Sequence, residues 1–210
     1  MRNVAVFVCF LFVLFPPSQG DTQIRLNEIL ADPASDWDGD GAVSSRSDEW
    51  VEIINVGTSI IDISSYRLGD LSGGTSWRFG FDGTVAPGEV RLVFGSESVA
   101  WETANGFPAF GLSLNNAGDA VFLYDVAGGD TIVVDQYAYS AFETEDDRAT
   151  GRLPDGVGDW FIFDALNPYP GTTPPLGNGC APTPGHDNVC QGSVPVEETT
   201  WGAVKALFSD

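Results

Sequence analysis

The chain has 210 residues, with 30 Asp and Glu against 9 Lys and Arg and one His, for a formal net charge of −21. That length holds one domain or two small ones, and 43% apolar residues with 12% aromatics are enough to bury a real core. The charge excludes nucleic acid and an anionic membrane surface as direct partners, because both demand Lys and Arg, and it leaves a cation, a basic partner or plain solubility as its uses.

Met1 to Gly20 reads as a secretory signal peptide. Arg2 supplies the positive start, and Val4 to Phe15 forms an unbroken apolar run. Ser18-Gln19-Gly20 places small residues where a signal peptidase reads. The run is too short to cross a bilayer as a helix, and no comparable run follows. Cleavage near Gly20 predicts a secreted or cell-surface protein without a transmembrane segment. It also removes Cys9 and leaves Cys180 and Cys190, an even pair that predicts a disulfide in an exported chain. A bridge closing so short a loop contributes about 2–3 kcal/mol. Zinc is the weaker reading, since two Cys and His186 lack a fourth ligand.

Residues 24–165 repeat one texture, in which short β-branched and aromatic runs alternate with Gly, Pro, Asp and Asn. Ile24 to Leu30, Trp50 to Ile54, Ile60 to Leu68, Trp77 to Phe81, Val90 to Phe94, Ala120 to Tyr124, Thr131 to Asp135 and Trp160 to Phe163 read as strands. Only Ser96 to Asn105 carries a helical apolar spacing. About eight short strands without crossover helices predict an all-β, antiparallel β-sandwich over residues 21–171. From about Asn167 prolines interleave with Gly and Thr, which predicts an extended, disulfide-pinned linker over 172–199. Residues 200–210 form a short apolar C-terminal motif, Trp201 to Phe208, carrying the only lysine, Lys205. It could sort, anchor or pack.

Several segments in order carry a family resemblance. Leu26-Asn27-Glu28-Ile29-Leu30-Ala31-Asp32-Pro33, then an Asp/Gly-rich loop, then Asp48-Glu49-Trp50-Val51-Glu52-Ile53-Ile54-Asn55, resemble the bacterial lamin tail domain family. Ile61 to Leu68, Val85-Ala86-Pro87-Gly88-Glu89, Asn116 to Asp119 before Val121-Phe122-Leu123, and Gly151 to Gly156 with Trp160 continue it. The resemblance covers roughly Ile24 to Gly171. It implies an immunoglobulin-like sandwich and no catalytic activity.

The sharpest chemical motif is Asp36-Trp37-Asp38-Gly39-Asp40-Gly41-Ala42. Carboxylates at alternate positions before a glycine open a calcium loop. A tight turn points alternate side chains inward, and Ala42 stands where a backbone carbonyl would bind. An EF-hand is excluded, because Ser47 stands at the twelfth place and no helices flank the loop. Asp48 or Glu49 is expected to close it, so the predicted metal set is Asp36, Asp38, Asp40, Ala42, Asp48 and Glu49, for Ca2+. A second acidic run, Glu143, Glu145, Asp146 and Asp147, lacks a fixed turn and reads as a solvated loop.

No catalytic residues are expected. Triads need a His, and His186 lies in the Pro/Gly tail. Glu28, Glu49 and Glu52 could pair as hydrolase carboxylates, but solubility or hydrogen bonds at the sandwich ends is the favoured use. Trp50, Trp77 and Trp160 read as core, while Trp37 and Trp101 fall in loops, where an aromatic could meet a partner. The reading is a non-catalytic exported interaction or structural module, partnered by a protein or glycan of the cell envelope or extracellular space. The alternative is a calcium-dependent extracellular hydrolase, a glycosidase or a nuclease.

Overall fold

The computed structural model describes residues 23–70 and 77–190. The expected signal segment 1–20 and the motif at 200–210 lie outside the described residues. Eleven strands and one α-helix follow in chain order. They are β1 (Ile24–Leu30), β2 (Trp50–Asn55), β3 (Ile61–Asp62), β4 (Tyr66–Asp70), β5 (Phe79–Gly80), β6 (Thr84–Val85) and β7 (Val90–Phe94). Helix α1 (Gly95–Ala104) precedes β8 (Gly118–Asp125), β9 (Ile132–Ser140), β10 (Ala149–Leu153) and β11 (Asp159–Phe163).

The strands form a five-stranded sheet in the order β11-β10-β1-β2-β7, a four-stranded sheet in the order β5-β4-β8-β9, and a small β3-β6 pair. Every ladder is antiparallel. This is the antiparallel sandwich that the strand pattern predicted, and it is consistent with the immunoglobulin-like form that the family resemblance implied. Ile24, Leu26 and Ile29 of β1, Val51 and Ile53 of β2 and Val93 of β7 pack across the interior against Leu68, Val121, Leu123 and Tyr139 of the second sheet. Within each strand these residues alternate, as two-faced strands require, except that Leu26 and Ile29 stand three apart across an irregularity in β1.

Several local readings change. The run Ile60 to Leu68 divides into β3 and β4, which join different sheets. Thr131 to Asp135 is the start of a longer strand reaching Ser140. The helical spacing at Ser96 to Asn105 does form a helix, which places Trp101 on α1 rather than in a loop. There Trp101 stacks on Phe107 at 5.5 Å and packs beside Phe79.

The five-stranded sheet has a second apolar layer on its outer face. Leu30, Trp50, Ala149, Phe163 and Cys180 are buried together there, with Trp37, Leu92, Phe94 and Phe161 around them. The cover is the C-terminal stretch, which was expected as a linker. Residues 172–190, the described part of 172–199, are instead tied to the sheet. Ile162 donates its N–H to the Leu176 carbonyl, and Asn178 donates to the Ile162 carbonyl, so this stretch continues the sheet beyond β11 in parallel. Asp164 accepts the N–H groups of Tyr169 and Gly179. Leu176–Cys190 then crosses the outer face as a strap. The expected disulfide Cys180–Cys190 closes its far half.

Candidate functional site

Two groups of carboxylates lie near the start of the five-stranded sheet, one exposed and one covered. The exposed group is the loop between β1 and β2. The Asp36 carboxylate accepts N–H groups from Gly39, Asp40 and Gly41 at 2.9–3.1 Å. Asp38 accepts from Asp40, and Asp40 accepts from Ala42. Gly39 and Gly41 hold the loop in left-handed backbone, with φ of 75° and 93°, where a side chain would be strained. The result brings one carboxylate oxygen from each of Asp36, Asp38 and Asp40 within 4.8 Å of the others. Hard oxygens gathered in this way suit a hard cation such as calcium, which completes its shell with carbonyls and water.

The other two acids predicted for this set serve different ends. Asp48 is fully buried and accepts N–H groups from Trp37, Asp38 and Ser44 at 2.7–3.0 Å. It is the brace that folds the loop back on itself, a role open to a carboxylate because three backbone donors there would otherwise be left unpaired. Glu49 turns the other way and accepts the Leu114 N–H at 3.2 Å. Burial, the main cause, pushes its carboxyl up to about 8. Ala42 keeps its place beside the triad through the bond to Asp40.

A third anchor comes from the acidic run that read as a solvated loop. Asp147 is buried and accepts N–H groups from Ala34 and Ser35, the Ser35 hydroxyl at 2.6 Å and the Trp37 indole N–H at 2.7 Å. Burial acts to raise its pKa, but these bonds prevail and hold the carboxyl below its ordinary 3.8. Glu143 is buried as well, accepting from the Tyr137 hydroxyl and the Ser140 N–H. Only Glu145 and Asp146 of that run stay exposed. Trp37 is thereby fixed, with its ring edge-on to Trp50 at 6.2 Å.

The covered group lies on the outer face of the same sheet. A bulge at Asn27 shifts the alternation of β1, so that Glu28 faces outward directly opposite Glu52 of β2. Both are fully buried. On the other flank Glu28 stands opposite Gly151, where a Cβ would lie 2.9 Å from both Glu28 Cγ and Asn188 Nδ2. Only glycine leaves that space. Asp155, in the β10–β11 turn, completes the group through Asn27, whose side-chain N–H groups reach Glu52 at 2.7 Å and Asp155 at 2.8 Å.

The strap closes over these acids and supplies their donors. Glu28 accepts the Thr183 N–H, Glu52 accepts the Gly185 N–H at 2.7 Å, and Asp155 accepts the Asn188 N–H at 3.0 Å. Burial dominates the titration of both glutamates. It pushes Glu28 up to about 8, against bonds from Thr183 and with help from the charges of Glu52 and Asp155. It pushes Glu52 up to about 7, against bonds from Asn27 and Gly185 and with help from Asp155 and Asp187. The sequence suggested solubility or hydrogen bonds at the sandwich ends for these glutamates, since a strand Glu is ordinarily exposed, and the structure gives them buried hydrogen bonds. The one sequence signal of burial is the glycine at 151 on the neighbouring strand.

No helix among the described residues is long and apolar enough to cross a membrane. A comparison with family models matches the chain to the model described as Lamin Tail Domain over residues 17–141, more than half of its length. Comparison with curated proteins gives no match.

Proposed function

The chain belongs to the lamin tail domain family, and from that premise we propose that it is a non-catalytic interaction or structural module, exported from the cell and stabilised by calcium in the Asp36–Asp40 loop. The observation that carries the calcium reading is the convergence of Asp36, Asp38 and Asp40. Three close carboxylates repel one another in the free protein, and a divalent cation relieves that repulsion. Asp36, Asp38 and Asp40 would hold the ion, while Asp48 and Asp147 fix the loop from behind. Export is supported by the disulfide Cys180–Cys190, a bond that persists in oxidising surroundings. The partner we infer is a protein or glycan of the cell envelope or extracellular space, because the charge disfavours nucleic acid.

The non-catalytic reading rests on how the carboxylates are used. Glu28 and Glu52, the pair best placed to act as acid and base, are spent on strap donors and lie under cover. Glu49 is spent on a loop amide. A glycosidase or nuclease needs such groups open to substrate.

Calorimetric melting with calcium and with chelator tests the metal. At about 100 times its Kd, calcium adds about 2.7 kcal/mol to the folded state. For a domain of this size that raises the melting temperature by about 5–10 °C. Asp38→Asn with Asp40→Asn should abolish the rise. Identical melting of the wild type in both conditions removes calcium from the reading.

A further inference from the structure

Thr183 sits between two acceptors, and the count of protons there has a consequence. Its Oγ1 lies 2.8 Å from Glu28 Oε2 and 2.9 Å from Asn188 Oδ1. A hydroxyl carries one proton and can donate to only one of them. The Asn188 amide cannot be turned round to help. Its Nδ2 donates to the carbonyls of Arg152 at 2.9 Å and Asn27 at 3.4 Å, and reversing it would set oxygen against oxygen at both. Asn188 Oδ1 therefore needs the Thr183 proton, and the short contact to Glu28 needs a second one. The donor that supplies it is Glu28 itself, as a neutral acid: Glu28 Oε2–H donates to Thr183 Oγ1, which donates to Asn188 Oδ1. The Thr183 N–H lies 3.2 Å from Oε1 and 3.3 Å from Oε2, and with Oε2 protonated it donates to Oε1. Glu52 and Asp155 need no such proton, since each receives bonds only from N–H donors.

We propose that the disulfide-closed part of the strap, Cys180–Cys190, is a proton-held latch, seated on the five-stranded sheet while Glu28 is neutral and lifted from it when Glu28 ionises.

The charged and titratable groups around Glu28 favour this arrangement. Glu52 faces it from β2 and Asp155 from the β10–β11 turn, and both oppose a further negative charge. The strap brings Asp187, which acts on Glu52, and the exposed His186. Arg25 stands on β1. Arg152 of β10 directs its guanidinium to Asp135 and to the Leu26 carbonyl. Once ionised, Glu28 competes with Asn188 for the single Thr183 proton inside a fully buried group. Leu176 and Asn178 stay bonded to Ile162, and the disulfide closes the rest on itself, so Cys180–Cys190 lifts as one loop.

Hydrogen exchange of the full disulfide-bonded chain, corrected for the intrinsic pH dependence of exchange, tests the latch. Between pH 6 and pH 9.5, protection at Thr183, Gly185 and Asn188 should fall at least tenfold, while the β1–β2 ladder stays protected. Glu28→Gln keeps an N–H donor toward Thr183 and cannot ionise, so its strap should stay protected at both pH values. Thr183→Val removes the relay but keeps the backbone donor, and its strap should already be unprotected at pH 6. Equal strap protection in the wild type at both pH values overturns the proposal. So does a pH-dependent loss in Glu28→Gln, or full protection at pH 6 in Thr183→Val.

Discussion

The Asp36–Asp40 loop and the acids beneath the strap both crowd three carboxylates into a small volume, and they settle the repulsion differently. In the loop the side chains lie at the surface, each is held by backbone N–H groups of its own turn, and the charges remain for a cation to neutralise. Beneath the strap Glu28 and Glu52 are fully buried, and their donors come from a segment more than 130 residues away in sequence. There a proton takes the place of the cation. Solvent access thus decides whether clustered acids keep charges open to a cation or are driven toward the neutral form.

The comparison can be broken most forcefully with pH. Glu28 and Glu52 titrate near 8 and 7 in the folded chain, against an ordinary value of 4.5. The unfolded chain loses these protons near 4.5 and the folded chain keeps them longer, so folding takes up protons in between. Their contribution to stability is complete below 4.5 and is lost as pH rises through 7 to 8. Asp147 works in the opposite sense. Its contribution stands above 3.8 and disappears as pH falls through its lowered value. Denaturant midpoints should therefore peak at mildly acidic pH and be clearly lower at pH 8. A midpoint that climbs from pH 5 to pH 8 contradicts the assignment.

Truncation gives the next largest effect. Glu52→Ala opens a cavity and strands the Asn27 and Gly185 donors, for a loss of about 2–4 kcal/mol in denaturant unfolding. Asp38→Ala, measured in chelator, should shift stability by no more than about 0.5 kcal/mol, since it trims a half-buried side chain in a self-bonded surface loop. Similar losses at the two positions would erase the distinction between the exposed and covered groups.

The sequence made the exposed group legible and hid the other. Asp-x-Asp-x-Asp-Gly is a local pattern, and the loop that realises it is closed by bonds between residues two to five apart. The sandwich was legible for a similar reason, because short β-branched and aromatic runs bounded by turn residues, such as Trp50 to Ile54 and Val90 to Phe94, are local signals of strands. The disulfide followed from cysteine parity. The strap did not follow, because Pro-rich composition describes only what a segment does alone, and this one is held by acceptors on distant strands. The full burial of Glu28 was hidden because a bulge reverses the alternation just where burial had to be judged. Asp147 was hidden in an acidic run whose exposed members, Glu145 and Asp146, dominate its appearance.

The placing of β1 has a consequence for how the molecule is assembled and divided. It is the first strand among the described residues, yet it stands in the middle of the five-stranded sheet, between β2 and β10. A chain emerging from its N-terminus first can zip β1 to β2 early, but the other flank stays open until Ala149–Leu153 arrives. An unpaired edge of that kind invites other strands. A fragment ending at residue 141, where the family match stops, leaves β1 as an open edge of the three-stranded remnant β1-β2-β7. The shortest piece that closes both flanks of β1 runs to Leu153, and the shortest that also shields Glu28 and Glu52 runs to Cys190.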